Sequence, residues 1–142
     1  MKKIIIFFVI IIAILGMFCY IYSQKKISQN ELIANNKEYT SLLNKEISAN
    51  DLASLINKTI NKDEANKITK DNGLYVENDT DSIIMEIKFI DSENIIRTEN
   101  IYKNDIAKFI ELYGSSKFKC TKVEFHEKTK FVKYLYFEEV NT

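Results

Sequence analysis

The sequence predicts an α+β domain carried on an N-terminal transmembrane helix. Three observations lead there. Residues 4–22 form an uncharged apolar run. Residues 49–60 and 106–113 repeat their apolar side chains at helical spacing. Between and after them the period changes to two, without the strand–helix alternation of a parallel βαβ fold. The expected order is anchor helix, helical stalk, helix, strands, helix and hairpin. The head is expected to pack its helices on an antiparallel sheet.

Ile4 to Tyr22 are nineteen residues with no charge and one glycine, Gly16. As a helix they reach roughly 28 Å, close to the thickness of a bilayer's hydrocarbon core. Lys2 and Lys3 precede the run, and Tyr20 and Tyr22 stand where interfacial aromatics are favoured. Membrane contact is therefore expected through residues 4–22. The expected topology is a single pass in the cell membrane, N-terminus inside and domain extracytoplasmic. A cleaved signal, with secretion of the remainder, is the alternative. Its weakness is the absence of an Ala-x-Ala site. Phe18 before Cys19 does not match a lipoprotein site. The expected segments are 1–22 as membrane anchor, 23–46 as helical stalk and 47–142 as extracytoplasmic α+β domain.

No glycine or proline occurs between Met17 and Asn72, so helix can continue from the anchor. Tyr39, Leu42, Leu43 and Ile47 repeat at helical spacing. Ser48 and Asp51 then read as a capping box, flanked by Ile47 and Leu52 at the staple positions. Leu52, Leu55, Ile56 and Ile60 give the following helix its apolar face. Asp71-Asn72-Gly73 reads as a turn, and Leu74 to Glu77 as a short strand. In 82–90, Ile83, Met85, Ile87 and Phe89 point one way, with Ile84, Glu86, Lys88 and Ile90 opposite. Ile95 to Glu99 is expected as the returning strand. Asn104 is expected to cap a helix ending at a left-handed Gly114.

Lys117–His126 and Phe131–Glu138 are expected to form a hairpin around residues 127–130. A constant register would pair Phe125 with Val132, Val123 with Tyr134, Thr121 with Tyr136 and Glu124 with Lys133.

Composition narrows function more by exclusion than by signal. The chain has 142 residues, 20 Lys+Arg, 20 Asp+Glu, 3 Gly, 2 Cys and no Pro. That excludes a strongly basic nucleic-acid binder, a disulfide scaffold and a collagen-like chain. Ile (23), Lys (19) and Asn (14) dominate, and arginine occurs once, as AT-rich codons dictate. A low-GC bacterial source is expected. The neutral total divides unevenly: residues 71–99 carry −6 and residues 100–142 carry +2.

No residue set with the spacing of a catalytic or metal centre is recognisable, and no cofactor is expected. His126 is the single histidine, with Glu124 and Glu127 nearby; a hydrolase centred on it is one alternative function. Cys120 could act as a nucleophile, but six residues of regular strand would separate it from His126 by about 20 Å. The surface most suited to a partner is the aromatic, basic hairpin: Lys119, Lys122, Lys128, Lys130, Lys133 and Phe131. Such a surface suits a protein partner or an anionic cell-wall polymer. Export disfavours nucleic acid.

Leu52-Ala53-Ser54-Leu55-Ile56-Asn57-Lys58 and Phe118-Lys119-Cys120-Thr121-Lys122 resemble segments of small single-pass membrane-anchored proteins of Clostridium-like low-GC bacteria. That resemblance implies an envelope location and brings no activity with it. The layout of anchor, stalk and head is also similar to pilin-like or secretion-assembly subunits. In this chain Gly16-Met17 lies late in the apolar run, where a pilin would have its cleavage glycine before it. The leading expectation is a non-catalytic envelope binding domain.

Overall fold

The structure, a computed structural model, describes residues 2–140. Met1, at the start of the expected anchor, and residues 141–142, at the end of the expected head, lie outside them. The chain divides into two compact units, Met1–Ala34 and Asn35–Thr142.

The first unit is one helical rod. It belongs to α1, Lys2–Thr40, a helix of 39 residues. Within α1, Phe8–Thr40 is long and apolar enough to cross a membrane, and the most apolar 18-residue stretch is wholly unburied. Ile12, Met17, Phe18 and Tyr22 are each more than 60 % exposed. No amphipathic face organises the helix, as expected where apolar side chains point in every direction.

The second unit is an α+β head that begins at Asn35. Residues 35–46, which the sequence places in the stalk, are therefore part of it. Tyr39 is fully buried and Leu42 packs against the core. After α1 the chain turns through Asn44, whose φ is 62°. It then enters β1 (Glu46–Ser48) and α2 (Ala49–Ala65). The expected capping box is present. The Ser48 hydroxyl oxygen accepts from the Asp51 amide at 3.1 Å, and its hydroxyl donates to Asp51 Oδ2 at 2.8 Å. The α2 face made by Leu52, Leu55, Ile56 and Ile60 is buried, as its spacing dictates.

A two-residue turn, Asn72-Gly73 with φ of 51° and 85°, joins β2 (Lys70–Asp71) to β3 (Leu74–Tyr75). Both positive φ values fit the hairpin chemistry of Asn-Gly. β4 (Ile84–Lys88) follows, then β5 (Ile95–Arg97), α3 (Thr98–Lys103), α4 (Ile106–Tyr113), β6 (Lys117–Phe125) and β7 (Val132–Val140).

The main sheet has the order β1-β6-β7-β4-β5. It is mixed, which corrects the all-antiparallel expectation at one pairing. β4 runs parallel to β7, with Glu86 opposite Tyr136. The parallel pair arises because β5, α3, α4 and β6 intervene between β4 and β7, a connection long enough to return the chain in the same direction. Ile83, Met85, Ile87 and Phe89 are buried as the alternation predicts.

Four local expectations change. Thr98 and Glu99, expected to end a strand, begin α3 instead. Asn104 closes α3; the cap of α4 is Asp105, whose Oδ1 accepts from the Ala107 amide at 2.9 Å. Gly114 has a right-handed φ of −57°. Glycine is needed there for another reason: a Cβ would sit 2.7 Å from the Ile110 carbonyl oxygen. Finally, the hairpin register is not constant. It breaks between Cys120 and Lys122 and again between Glu124 and Phe125. Phe125 faces Val132 as expected, but Val123 faces Leu135, Lys122 faces Tyr136 and Glu124 faces Tyr134. The two breaks compensate, so both ends of the hairpin keep the simple register. Phe118, Cys120, Leu135 and Phe137 share one face in either register; the break at Lys133 brings Val132 to it as well, and all five are fully buried.

Candidate functional site

The basic hairpin folds onto the acidic segment that precedes β4. An asparagine turn shapes that segment. Asn78 Oδ1 accepts from the amides of Thr80, Asp81 and Ser82, at 3.0, 2.9 and 3.0 Å. The turn presents Glu77 and Asp79 to the hairpin. Lys128 pairs with Asp79, and Thr129 donates to the Thr80 carbonyl at 2.5 Å. Lys133 lies 3.3 Å from Glu77 and 3.7 Å from Glu124. Lys122 pairs with Glu124 at 2.6 Å and stands 5.4 Å from the centre of the Tyr134 ring. These contacts hold the carboxyls of Asp79 and Glu124 below the usual carboxylate range, chiefly through their hydrogen bonds to Lys128 and Lys122.

Two residues of the sequence-derived surface, Lys128 and Lys133, therefore line one polar cleft of about 270 Å³ with His126, Glu77, Asp79 and Glu127. Lys122 adjoins it through Glu124. The other three are elsewhere. Lys119 sits near the far end of β6, opposite Glu46 on one side and Glu138 on the other. Lys130 has a φ of 63°, and its carbonyl accepts from Asn36 Nδ2 at 2.7 Å. Phe131 is half-buried under Lys62, whose Nζ is 5.5 Å from the ring centre. Three of the five lysines are matched by carboxylates of the same chain. Two of these pairs, Lys128–Asp79 and Lys133–Glu77, join the acidic segment to the basic hairpin.

His126 and Cys120 are buried. The His126 ring is 2 % exposed, and Nε2 lies 2.8 Å from the Ser82 carbonyl oxygen. Since a carbonyl only accepts, Nε2 carries the proton in this contact. Cys120 is fully buried, and burial pushes its thiol up to about 11. The thiol is therefore neutral at physiological pH and a poor nucleophile.

Two polar groups that sequence reasoning missed grip the same region. Asp63 is 1 % exposed, and its Oδ1 accepts from the Ile83 amide at 3.0 Å. Burial pushes its carboxyl up to about 7, against the opposing effect of that hydrogen bond. Glu99, 7 % exposed, accepts from Arg97 Nη2 at 2.5 Å and from the Tyr75 amide at 3.1 Å. Arg97 also donates to the Tyr75 carbonyl at 3.0 Å. The one available signal was the single arginine in a chain that otherwise uses lysine. A planar fork can serve two acceptors at once where an ammonium cannot match the geometry.

Among the described residues no group of three or more His, Cys, Asp or Glu is arranged to hold a metal ion. In comparisons with family models, curated proteins and solved structures, nothing matches this chain.

Proposed function

We propose that this is a single-pass envelope protein of a low-GC bacterium, held by the apolar half of α1, whose α+β head binds a protein partner or wall polymer outside the membrane. The observation that carries the reading is the unburied apolar stretch of α1 joined to a separately compact head. Exposed Ile, Phe and Met in every direction is unfavourable in water and favourable in hydrocarbon. The placement of His126 and Cys120 in packing roles supports a binding head over a hydrolytic one. No feature favours the pilin-like alternative over a lone anchor.

The test is protease treatment of spheroplasts carrying a C-terminal tag, with carbonate washing of the membranes. The reading expects the tag in the washed pellet and removed by external protease. A tag that stays protected, or one released into the wash or the medium, overturns it. A photo-cross-linker placed at Lys119 or Lys130 would then identify the bound envelope component.

A further inference from the structure

A second cavity of the head lies away from the hairpin, between β5, α3 and α4. It measures about 390 Å³, within the range of small-molecule sites. Its floor is aromatic. Phe89 lies 4.6 Å from Tyr113 and 6.4 Å from Phe109, centre to centre, and Phe109 lies 5.5 Å from Tyr113. Leu112 lines the same cavity while remaining 65 % exposed. An exposed leucine beside a ring-lined hollow is a lip that a bound apolar group would cover.

The rim is charged in a specific way. Asp105 and Lys108 both line the cavity. Asp105 is the cap that precedes α4, and Lys108 stands in the first turn of that helix. Neither makes an ion pair among the described residues, in contrast to Lys122, Lys128 and Lys133. Asp105 also holds φ 85° and ψ 109°. In that conformation its Oδ1 caps α4 by accepting from the Ala107 amide. The same conformation places an acidic residue at the mouth of an apolar hollow, one turn from an unpaired lysine.

We propose that this cavity binds a small zwitterion with an aromatic or branched apolar body. The body fills the space above Phe89, Phe109 and Tyr113. The ammonium is held at Asp105 and the carboxylate at Lys108. The inference rests on the reading of the head as a binding domain and does not depend on the membrane.

The experiment is saturation-transfer NMR on the full chain in lipid nanodiscs, with empty nanodiscs subtracted. The probes are L-phenylalanine, phenethylamine, which lacks the carboxylate, and 3-phenylpropionate, which lacks the ammonium. L-phenylalanine is expected to bind saturably. Each single-charge probe should bind roughly fivefold more weakly, the size that one partly exposed charge pair supports. Lys108→Ser lies at an exposed position and should bring L-phenylalanine down to the affinity of phenethylamine, whose own binding should not change. Absence of saturable binding at millimolar L-phenylalanine overturns the proposal. So does equal binding of all three probes, the mark of a plain apolar groove for a protein partner. Indifference to Lys108→Ser overturns it as well. Each of these results leaves the protease-accessibility test of the envelope reading standing on its own.

Discussion

His126 Nε2 and the Ser82 carbonyl oxygen are 2.8 Å apart, though 44 residues separate them in the chain. The same peptide group is gripped from its other side, because the Ile83 amide donates to Asp63. One buried histidine from the hairpin and one buried carboxyl from α2 thus fix the entry to β4. Replacing His126 with Ala leaves the Ser82 carbonyl unpaired and opens a cavity. We expect a loss of about 2–4 kcal/mol, read as a lowered denaturation midpoint. A loss under about 0.5 kcal/mol would show that water satisfies the carbonyl equally well.

Asp63 makes the same grip sensitive to pH. Burial is the main cause of its raised carboxyl; Glu99 and Asp81 add to it, and Lys62 opposes it. The folded value, about 7, lies above the ordinary 3.8. The folded state therefore binds more protons between those values, and stability falls as pH rises through that window. The expected decline is on the order of a few kcal/mol between pH 4 and pH 8. Asp63→Asn keeps an acceptor for the Ile83 amide and cannot ionise. Urea melts across this pH range should show the decline shrinking in the variant.

The Ser48 cap can be tested directly. Ser48→Ala removes the acceptor for the Asp51 amide and should cost about 1 kcal/mol, or roughly 4–8 °C in Tm for a domain of this size. Ser48→Thr should recover most of the loss, because its hydroxyl can make both bonds to Asp51. Equal melting of Ser48→Ala and the parent would mean that the α2 start is held by packing alone.

Glycine substitutions should separate two physical causes. Gly114→Ala keeps an allowed backbone but drives a Cβ into the Ile110 carbonyl, so α4 must shift; about 1–3 kcal/mol is expected. Gly73→Ala meets open space and pays only for its φ of 85°, about 1–2 kcal/mol. Gly73→Asn should be tolerated better than Gly73→Ala, because asparagine enters this region more easily. Gly114→Asn should gain nothing over Gly114→Ala.

The paired lysines of the hairpin should act as a masked basic surface. Glu77→Gln with Asp79→Asn removes carboxylate partners from Lys133 and Lys128. Retention on phosphocellulose should rise, while stability changes by less than about 1 kcal/mol, because these pairs are solvent-exposed. Unchanged retention would place the hairpin lysines out of reach of a polyanion for reasons other than charge.

Elements built from local rules were legible in advance. The Ser48–Asp51 box, the α2 face and the alternation around β4 follow from backbone capping and side-chain periodicity. The hairpin was legible in outline, but its register was not. No local pattern encodes the breaks at Thr121 and Lys133 or the pairing of β7 with β4. The same limit applies to the site. His126, Lys128 and Lys133 could be singled out individually. That Glu77 and Asp79 face them, or that Phe89 and Asp105 border one cavity, depends on strands and helices far apart in sequence.

The sequence by itself determined the apolar run at the start of α1, the α+β class and the positions of the main helices and strands. Hydrophobic period, capping and turn chemistry are local properties, and each needs only a few neighbouring residues. Tertiary structure alone decided the parallel β4–β7 pairing and the burial of His126 and Asp63. It also decided the pairing of Lys128 and Lys133 with Asp79 and Glu77, and the ring-floored cavity. These depend on which surfaces meet, and the meeting is fixed by packing all the elements around one core at once.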